Sequence, residues 1–175
     1  MKSIIAFGAS SSKKSINKTL ATYSASLVEG AEVEVLDLNE FEMPIYSVDK
    51  EGENGIHPLA KSFKRKIDNA DAIVISFAEH NGNVSAAYKN IYDWVSRIDM
   101  NVWQGKPLLV LATSPGARGG QGVLEVVVPG FKRSNENVFT FSLPSFYDNF
   151  SDGISDETLK TAFNKVVKEF ENAIG

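Results

Sequence analysis

Cysteine is absent from this 175-residue chain. That excludes disulfides, thiol nucleophiles and thiolate metal sites. Histidine is nearly absent: His57 and His80 are the two present, too few for a multi-histidine metal centre. No apolar run reaches the length of a membrane span. The N-terminus, Met1-Lys2-Ser3-Ile4-Ile5-Ala6-Phe7, leads straight into a strand pattern without the apolar segment and cleavage site of a secretory signal. A cytoplasmic protein with no membrane attachment is expected. The net charge of −4 and pI near 5.3 provide no basic face for nucleic acid. No repeat, linker or low-complexity tract interrupts residues 1–175, and the length fits a single domain.

Several catalytic signatures are missing as well. Neither Gly-rich loop carries the Gly-Lys-Ser/Thr ending of a Walker A loop. No Gly-x-Gly-x-x-Gly follows the first strand, which argues against a dinucleotide domain of that type. No Gly-x-Ser-x-Gly nucleophile elbow is present. A triad would need His80 to serve Ser114 or Ser10, with Glu79 or Asp148 behind it, and no positioned nucleophile is legible.

What the chain does contain is an alternation of two periods. Ser3 to Phe7 reads as a short buried strand, and Ile16, Leu20, Tyr23 and Leu27 then mark a helix from about Ser15 to Glu29. Val33, Val35 and Leu38 suggest a second strand, followed by a loop over 41–47 and a polar, mobile stretch over 49–55. Pro58 suits the first turn of a helix striped by Ile56, Leu59, Ala60, Phe63 and Ile67. Residues 72–77, 108–113 and 137–142 are three further strands. A helix from about Ser85 to Arg97 presents Ile91, Trp94 and Val95 to the core and Tyr88 and Tyr92 on another face. That second face predicts a self-association surface. Residues 123–128 are β-branched, yet the alternating order requires a helix there, and helix is the reading adopted. Leu143 to Ile154 reads as an aromatic-bearing loop, and Ser155-Asp156-Glu157 opens a last helix. Strand–helix order of this kind builds a parallel sheet with helices on both faces.

In such folds ligands bind beyond the C-terminal ends of the strands. Three loops of unusual composition leave those ends: 8–15, 78–83 and 114–122. The first joins a strand to a helix, whose free N–H groups and dipole favour an anion. Ser10, Ser11, Ser12, Ser15 and Asn17 add donors, and Lys13 and Lys14 add charge. The simplest competing reading is a polar turn with Ser15 as N-cap. Convergence of the other two loops favours a phosphate whose attached group lies flat or extended between them. Glu79, His80 and Asn81 supply polar atoms, and Gly82 and Gly116 allow close backbone approach. His57, just before Pro58, and Trp94, on the core stripe, are expected to be solvated and packed respectively.

These loops resemble those of the NADPH-dependent FMN reductase family. Gly8-Ala9-Ser10-Ser11-Ser12-Lys13-Lys14-Ser15-Ile16-Asn17 is similar to its Gly-Ser-x-Arg-x-x-Ser-x-Asn phosphate loop. The stretch Ala78-Glu79-His80-Asn81 through Tyr88-Lys89-Asn90 to Asp93-Trp94 is similar to its Pro-Glu-Tyr-Asn…Leu-Lys-Asn…Asp-Trp segment. Thr113-Ser114-Pro115-Gly116 with Gly119 and Gly120 looks like its Ser-Pro-Gly-x-x-Gly loop, and Met43-Pro44-Ile45-Tyr46 like its Leu-Pro-x-Tyr. The resemblance implies a flavodoxin-like three-layer α/β sandwich with a five-stranded parallel sheet in the order 2-1-3-4-5. It implies bound FMN, with NADPH or NADH as cosubstrate and a small electron acceptor such as a quinone, azo compound or free flavin. The second apolar face with Tyr88 and Tyr92 leads to the expectation of a homodimer or homotetramer. The implied cofactor-binding residues are Ser10, Ser12, Lys13, Ser15, Ile16 and Asn17 at the phosphate, Glu79, His80, Asn81 and Gly82 along the ring, and Ser114, Pro115 and Gly116 on its other side. The flavin carries the chemistry, so no catalytic side chain and no metal are implied. A flavodoxin-type electron carrier is the alternative, although carriers of that kind are usually far more acidic.

Ser12 stands where the family usually has Arg, and Ala78, His80, Ser85 and Ala86 stand where it often has Pro, Tyr, Pro and Gly. Loss of the Arg removes a bidentate phosphate partner, for which Lys13 offers a less directional charge. Ser12→Arg is therefore expected to tighten FMN binding by roughly tenfold, the size of one charge-assisted hydrogen bond. Flavin fluorescence titration checks it, and an unchanged or weaker affinity counts against this placement of the loop.

Overall fold

The computed structural model describes residues 1–175. Five strands, β1 (Lys2–Ala9), β2 (Ala31–Val35), β3 (Ala72–Phe77), β4 (Leu108–Thr113) and β5 (Val138–Leu143), form one sheet. Every pairing is parallel and the order is β2-β1-β3-β4-β5. That is the flavodoxin-like order expected from the sequence. The apolar runs in β1, β3 and β4 are continuous because both sheet faces are covered. On one face Ile5, Phe7, Ile73, Ile75 and Val110 pack with α3 (Pro58–Asn69), α4 (Ala86–Val95) and α5 (Gln121–Lys132). On the other, Ile4, Ala6, Val74, Leu109 and Leu111 pack with α1 (Ile16–Ser26) and α7 (Glu157–Ala173). Each fully buried side chain of this size contributes about 1.5–3 kcal/mol. The outer strand β2 carries Glu32 and Glu34 on exposed positions, charges that discourage further strand addition.

The helix over 123–128 is present as α5, with Pro129 inside it. Burial of Val123 and Leu124 outweighs the β-branched preference of this stretch. Four local expectations need correction. Residues 49–55 are not a mobile loop but fall in helix α2 (Val48–Asn54) and its end. Ser47 Oγ caps it by accepting from Lys50 N–H (3.2 Å), and Gly55 ends it at φ 71°. Tyr46 Oη donates to Glu51 (2.7 Å) and Arg97 Nε donates to the same carboxylate (3.0 Å). These two contacts hold the Glu51 carboxyl below its ordinary pKa. Leu38 is not in β2: it starts a 3-10 turn over Leu38–Phe41 that buries Leu38 and Phe41, and Asp37 Oδ1 caps it by accepting from Asn39 N–H. The segment after β5 is not wholly loop, since α6 (Phe146–Asn149) lies within it. His57 is not simply solvated, because its Nδ1 caps α3 by accepting from Leu59 N–H (3.2 Å).

Tyr88 requires a different correction. It is not part of an uncovered face: it is 6% exposed and meets Phe77 edge-on at 4.9 Å. Tyr92 continues the row, stacked between Tyr88 and Trp103 at 6.0 and 6.2 Å. Trp103 comes from the segment between α4 and β4, which the helical periodicity of α4 does not include. Trp94 is in the core as expected, its Nε1 donating to the Pro44 carbonyl (2.8 Å).

The close approach of β1 to α1 rests on Gly8. A Cβ at this position would lie 2.4 Å from the backbone nitrogen of Lys18 and 2.8 Å from its Cα. These are backbone atoms, so relief requires moving the helix. Gly8→Ala is expected to destabilise the protein by about 3 kcal/mol, read as a lower urea midpoint; a midpoint within experimental error of wild type overturns this account of the packing.

Candidate functional site

The loop from Ser10 to Ser15 is shaped by its own hydroxyls. Ser10 N–H donates to the Gly8 carbonyl (2.8 Å) and Ser12 N–H to Ser10 Oγ (3.1 Å). Ser15 Oγ then caps α1 by accepting from Lys18 N–H (3.1 Å). The N–H groups of Ile16 and Asn17, next in line at the helix start, have no acceptor within the protein. Lys13 and Lys14 are exposed and make no ion pair, whereas Lys18 is bonded to Asp37 (2.7 Å). The ammonium of Lys18 holds the Asp37 carboxyl down at about 2. The helix start thus offers free donors and unpaired positive charge, the requirement for an anion.

Asn17 ties this loop to the sheet. It is 3% exposed, with its Nδ2 donating to the Thr113 carbonyl (3.1 Å). Its Oδ1 accepts from Thr113 N–H (3.0 Å) and from Ser76 Oγ (2.7 Å). The helix start is thereby fixed to the ends of β3 and β4. Thr113 Oγ1 extends the chain of bonds to β5 by donating to the Leu143 carbonyl (2.7 Å). Ser85, where the family often has Pro, adds a second clamp: its Oγ donates to the Ala9 carbonyl (2.8 Å) while capping α4.

A cavity of about 210 Å³ lies where these loops meet. It collects Ser10, Ser12, Ser15, Ile16 and Asn17 from the first loop, Glu79 and His80 from the second, and Ser114 and Pro115 from the third. Those nine residues are brought together as the sequence predicts. Four others are not on its wall. Lys13 lines a broad open depression on the outer side, with Lys18 and Thr22. Asn81 and Gly82 form the exposed tip of a tight turn closed by His80 N–H to Asn83 O (2.8 Å) and Asn83 N–H to His80 O (3.0 Å). Their φ values of 52° and 72° fit an Asn-Gly turn of type I′. Gly116 is exposed and off the wall, its carbonyl accepting from Ser145 N–H (3.0 Å).

Glu79 lines the cavity while its carboxylate points elsewhere. Its Oε2 accepts from Val123 N–H (3.0 Å) at the start of α5, where Gly120 provides no side-chain cap. The charge complements the helix dipole, so Glu79 serves chiefly as an external cap. Four further residues share the wall: Lys14, read from the sequence only as charge at the first loop, Ala78 and Thr113, read only as positions in the second and third motifs, and Tyr147, which the sequence reading did not place at the site. Lys14 is indistinguishable from Lys13 by composition. Tyr147 was legible in principle, since β5 lies beside β4 and its following loop opens at the same edge. The three-loop scheme omits that fourth loop.

A family model described as NADPH-dependent FMN reductase matches residues 2–147. The chain is 32% identical over 143 residues to an NADPH:quinone oxidoreductase of Arabidopsis thaliana, spanning 76% of this chain and 71% of that protein. It is 35% identical over 109 residues to a 2-hydroxy-1,4-benzoquinone reductase of a Burkholderia species, spanning 61% of this chain and 57% of that protein. The fold matches that of FerB, a flavoenzyme NAD(P)H:(acceptor) oxidoreductase from Paracoccus denitrificans, with a TM-score of 0.76 and 24% identity over 99% of this chain and 97% of that one.

Asn17→Leu removes the clamp while keeping side-chain volume similar. It leaves the Thr113 N–H and carbonyl and the Ser76 hydroxyl without their partner. A loss of about 3 kcal/mol is expected, read from the urea midpoint; unchanged stability shows that the clamp does not hold the loop.

Proposed function

The chain belongs to the NADPH-dependent FMN reductase family, and from that premise we propose that it is an FMN-dependent NAD(P)H oxidoreductase acting on a small acceptor. The carrying observation is the cavity where free N–H groups at the start of α1 meet hydroxyls of the first loop and the ends of β3 and β4. The chemistry supplied by bound FMN is hydride transfer in two stages, from NAD(P)H to the flavin and from the flavin to the acceptor. A quinone, an azo compound or free flavin fits the acceptor role, and quinones have the support of the relatives' names.

In this reading the N–H groups of Ile16 and Asn17 and the hydroxyls of Ser10, Ser12 and Ser15 hold the phosphate. Lys14 on the wall and Lys13 outside it supply the charge that the usual Arg would bring. Ala78, Glu79 and His80 of the second loop and Thr113, Ser114 and Pro115 of the third would line the ring. The carboxylate of Glu79 is engaged with α5, which leaves it no proton-transfer duty. His80 would lie beside the ring with no proton to move. Asn81, Gly82 and Gly116 act by fixing the turns that carry these groups.

The proposal also takes residues 1–175 as a single FMN-binding domain, located in the cytoplasm and assembled as a homodimer or homotetramer. Exposed Met100 and Val126, beside the half-buried Tyr92, supply apolar surface for self-association. No helix is long and apolar enough to cross a membrane.

Purified protein is expected to be yellow, absorbing near ~450 nm as oxidised flavins do. NADPH should bleach that band rapidly in stopped flow, and a quinone should restore it. His80→Ala should retain hydride transfer within about tenfold, short of the roughly 10²–10⁴-fold that a general acid or base contributes. Absence of flavin binding overturns the cofactor reading. Binding with very slow reduction favours the electron carrier. Loss of transfer in His80→Ala with FMN still bound overturns the assignment of all chemistry to the flavin.

A further inference from the structure

Tyr147 is the one aromatic side chain on the cavity wall apart from the imidazole of His80. It is also 72% exposed, an unusual position for a large ring with an apolar body. Its neighbours show how it is held there. Ser145 adopts the left-handed conformation (φ 45°, ψ 61°), a region that a non-glycine residue enters at a cost. Its own N–H and the next are locked to the third loop: Ser145 N–H donates to Gly116 O and Phe146 N–H to Ser114 O, both at 3.0 Å. Phe146 is then buried against Phe150, the rings stacked at 4.8 Å. Tyr147, one residue on, meets Phe146 edge-on at 5.6 Å and remains at the cavity. The strained turn, the two backbone locks and the buried Phe146 together fix the origin of a ring that itself fills no core.

The sheet order sets what this ring faces. His80 follows β3, Tyr147 follows β5, and the end of β4, Thr113 to Pro115, lies between them. The cavity of about 210 Å³ falls below the roughly 300 Å³ at which ligand pockets of this kind begin. A phosphate and its polyol chain occupy much of such a volume, so a flat ring attached to them extends to the rim.

We propose that Tyr147 is a positioning residue that stacks on the isoalloxazine of bound FMN and covers it on the β5 side. The inference rests on the cofactor reading above and adds a residue that neither the family's motifs nor the phosphate loop supplies. Stacking of this kind replaces the arene face exposed to water by contact with the flavin plane. It contributes to affinity for the ring and not for the phosphate.

Binding of FMN and of riboflavin, which lacks the phosphate, is measured by flavin fluorescence in apo wild type, Tyr147→Leu and Tyr147→Phe. Leu is expected to weaken both flavins by about tenfold, and Phe by less than about twofold, since the ring and not the hydroxyl makes the contact. The fluorescence of bound flavin should rise in both Leu and Phe, because the stacked phenol that quenches the flavin by electron transfer is lost in each. Thermal unfolding without flavin should be the same in all three, as an exposed ring contributes little to the core. If wild type binds FMN and Leu matches it in affinity and brightness, Tyr147 does not stack on the ring and the inference falls while the cofactor reading stands. If wild type binds neither flavin, the cofactor reading itself falls.

Discussion

The geometry of the candidate site depends on the side chain of Asn17. One buried amide satisfies both backbone groups of Thr113 and the hydroxyl of Ser76. Each of these groups would otherwise be buried without a partner, at about 1–3 kcal/mol apiece. The bonds register the start of α1 against the ends of β3 and β4 to within hydrogen-bond tolerance. Gly8 permits the approach from the other side, since any larger residue would push Lys18 away. An anion bound at the free N–H groups of Ile16 and Asn17 therefore sits at a fixed distance from the loops that follow both strands. The loop hydroxyls are partly spent on the loop itself: Ser10 Oγ accepts from Ser12 N–H, and Ser15 Oγ from Lys18 N–H. A hydroxyl that accepts such a bond still has a proton to donate, so the loop is ordered and remains able to bind.

Much of the fold was legible because the strands are buried on both faces. Continuous runs such as Ala72–Phe77 and Leu108–Thr113 have little freedom to be anything else in an alternating chain. The cavity was legible where its wall comes from a loop directly after a strand, as for Ser10, Ser15 and Ser114. Legibility failed where a residue's role is set by distant partners. Asn17 reads as a phosphate ligand, yet its amide is directed inward to residue 113. Glu79 reads as a cavity residue, yet its charge caps a helix that begins some forty positions later. Tyr88 reads as surface until Trp103, outside the helical period, closes over Tyr92. Residues 49–55 read as mobile because their composition is polar, while Ser47 and Glu51 supply a cap and a tether that composition does not reveal.

The departures from the family's usual residues gain a physical sense from these contacts. Ser85 in place of Pro provides a hydroxyl that binds the Ala9 carbonyl, so the first and second loops are cross-linked directly. Ser12 in place of Arg leaves the exposed side of the first loop to lysines, whose charge is less directional. One substitution stiffens the site and the other loosens its grip. The balance predicts a rigid cradle with a less specific hold on the anion.

The span of the Asn17–Thr113 bond also bears on the order in which the molecule assembles. Its partners are 96 residues apart in sequence, so the loop at the start of α1 cannot reach its final shape until β4 has docked. Contacts of that separation form late, after the entropy of closing a long loop has been met. A newly made chain would hold its first strand and helix for most of synthesis without a competent anion site. Cofactor capture then follows folding and does not seed it, and stabilises the finished fold by an amount that grows with the logarithm of the free ligand concentration.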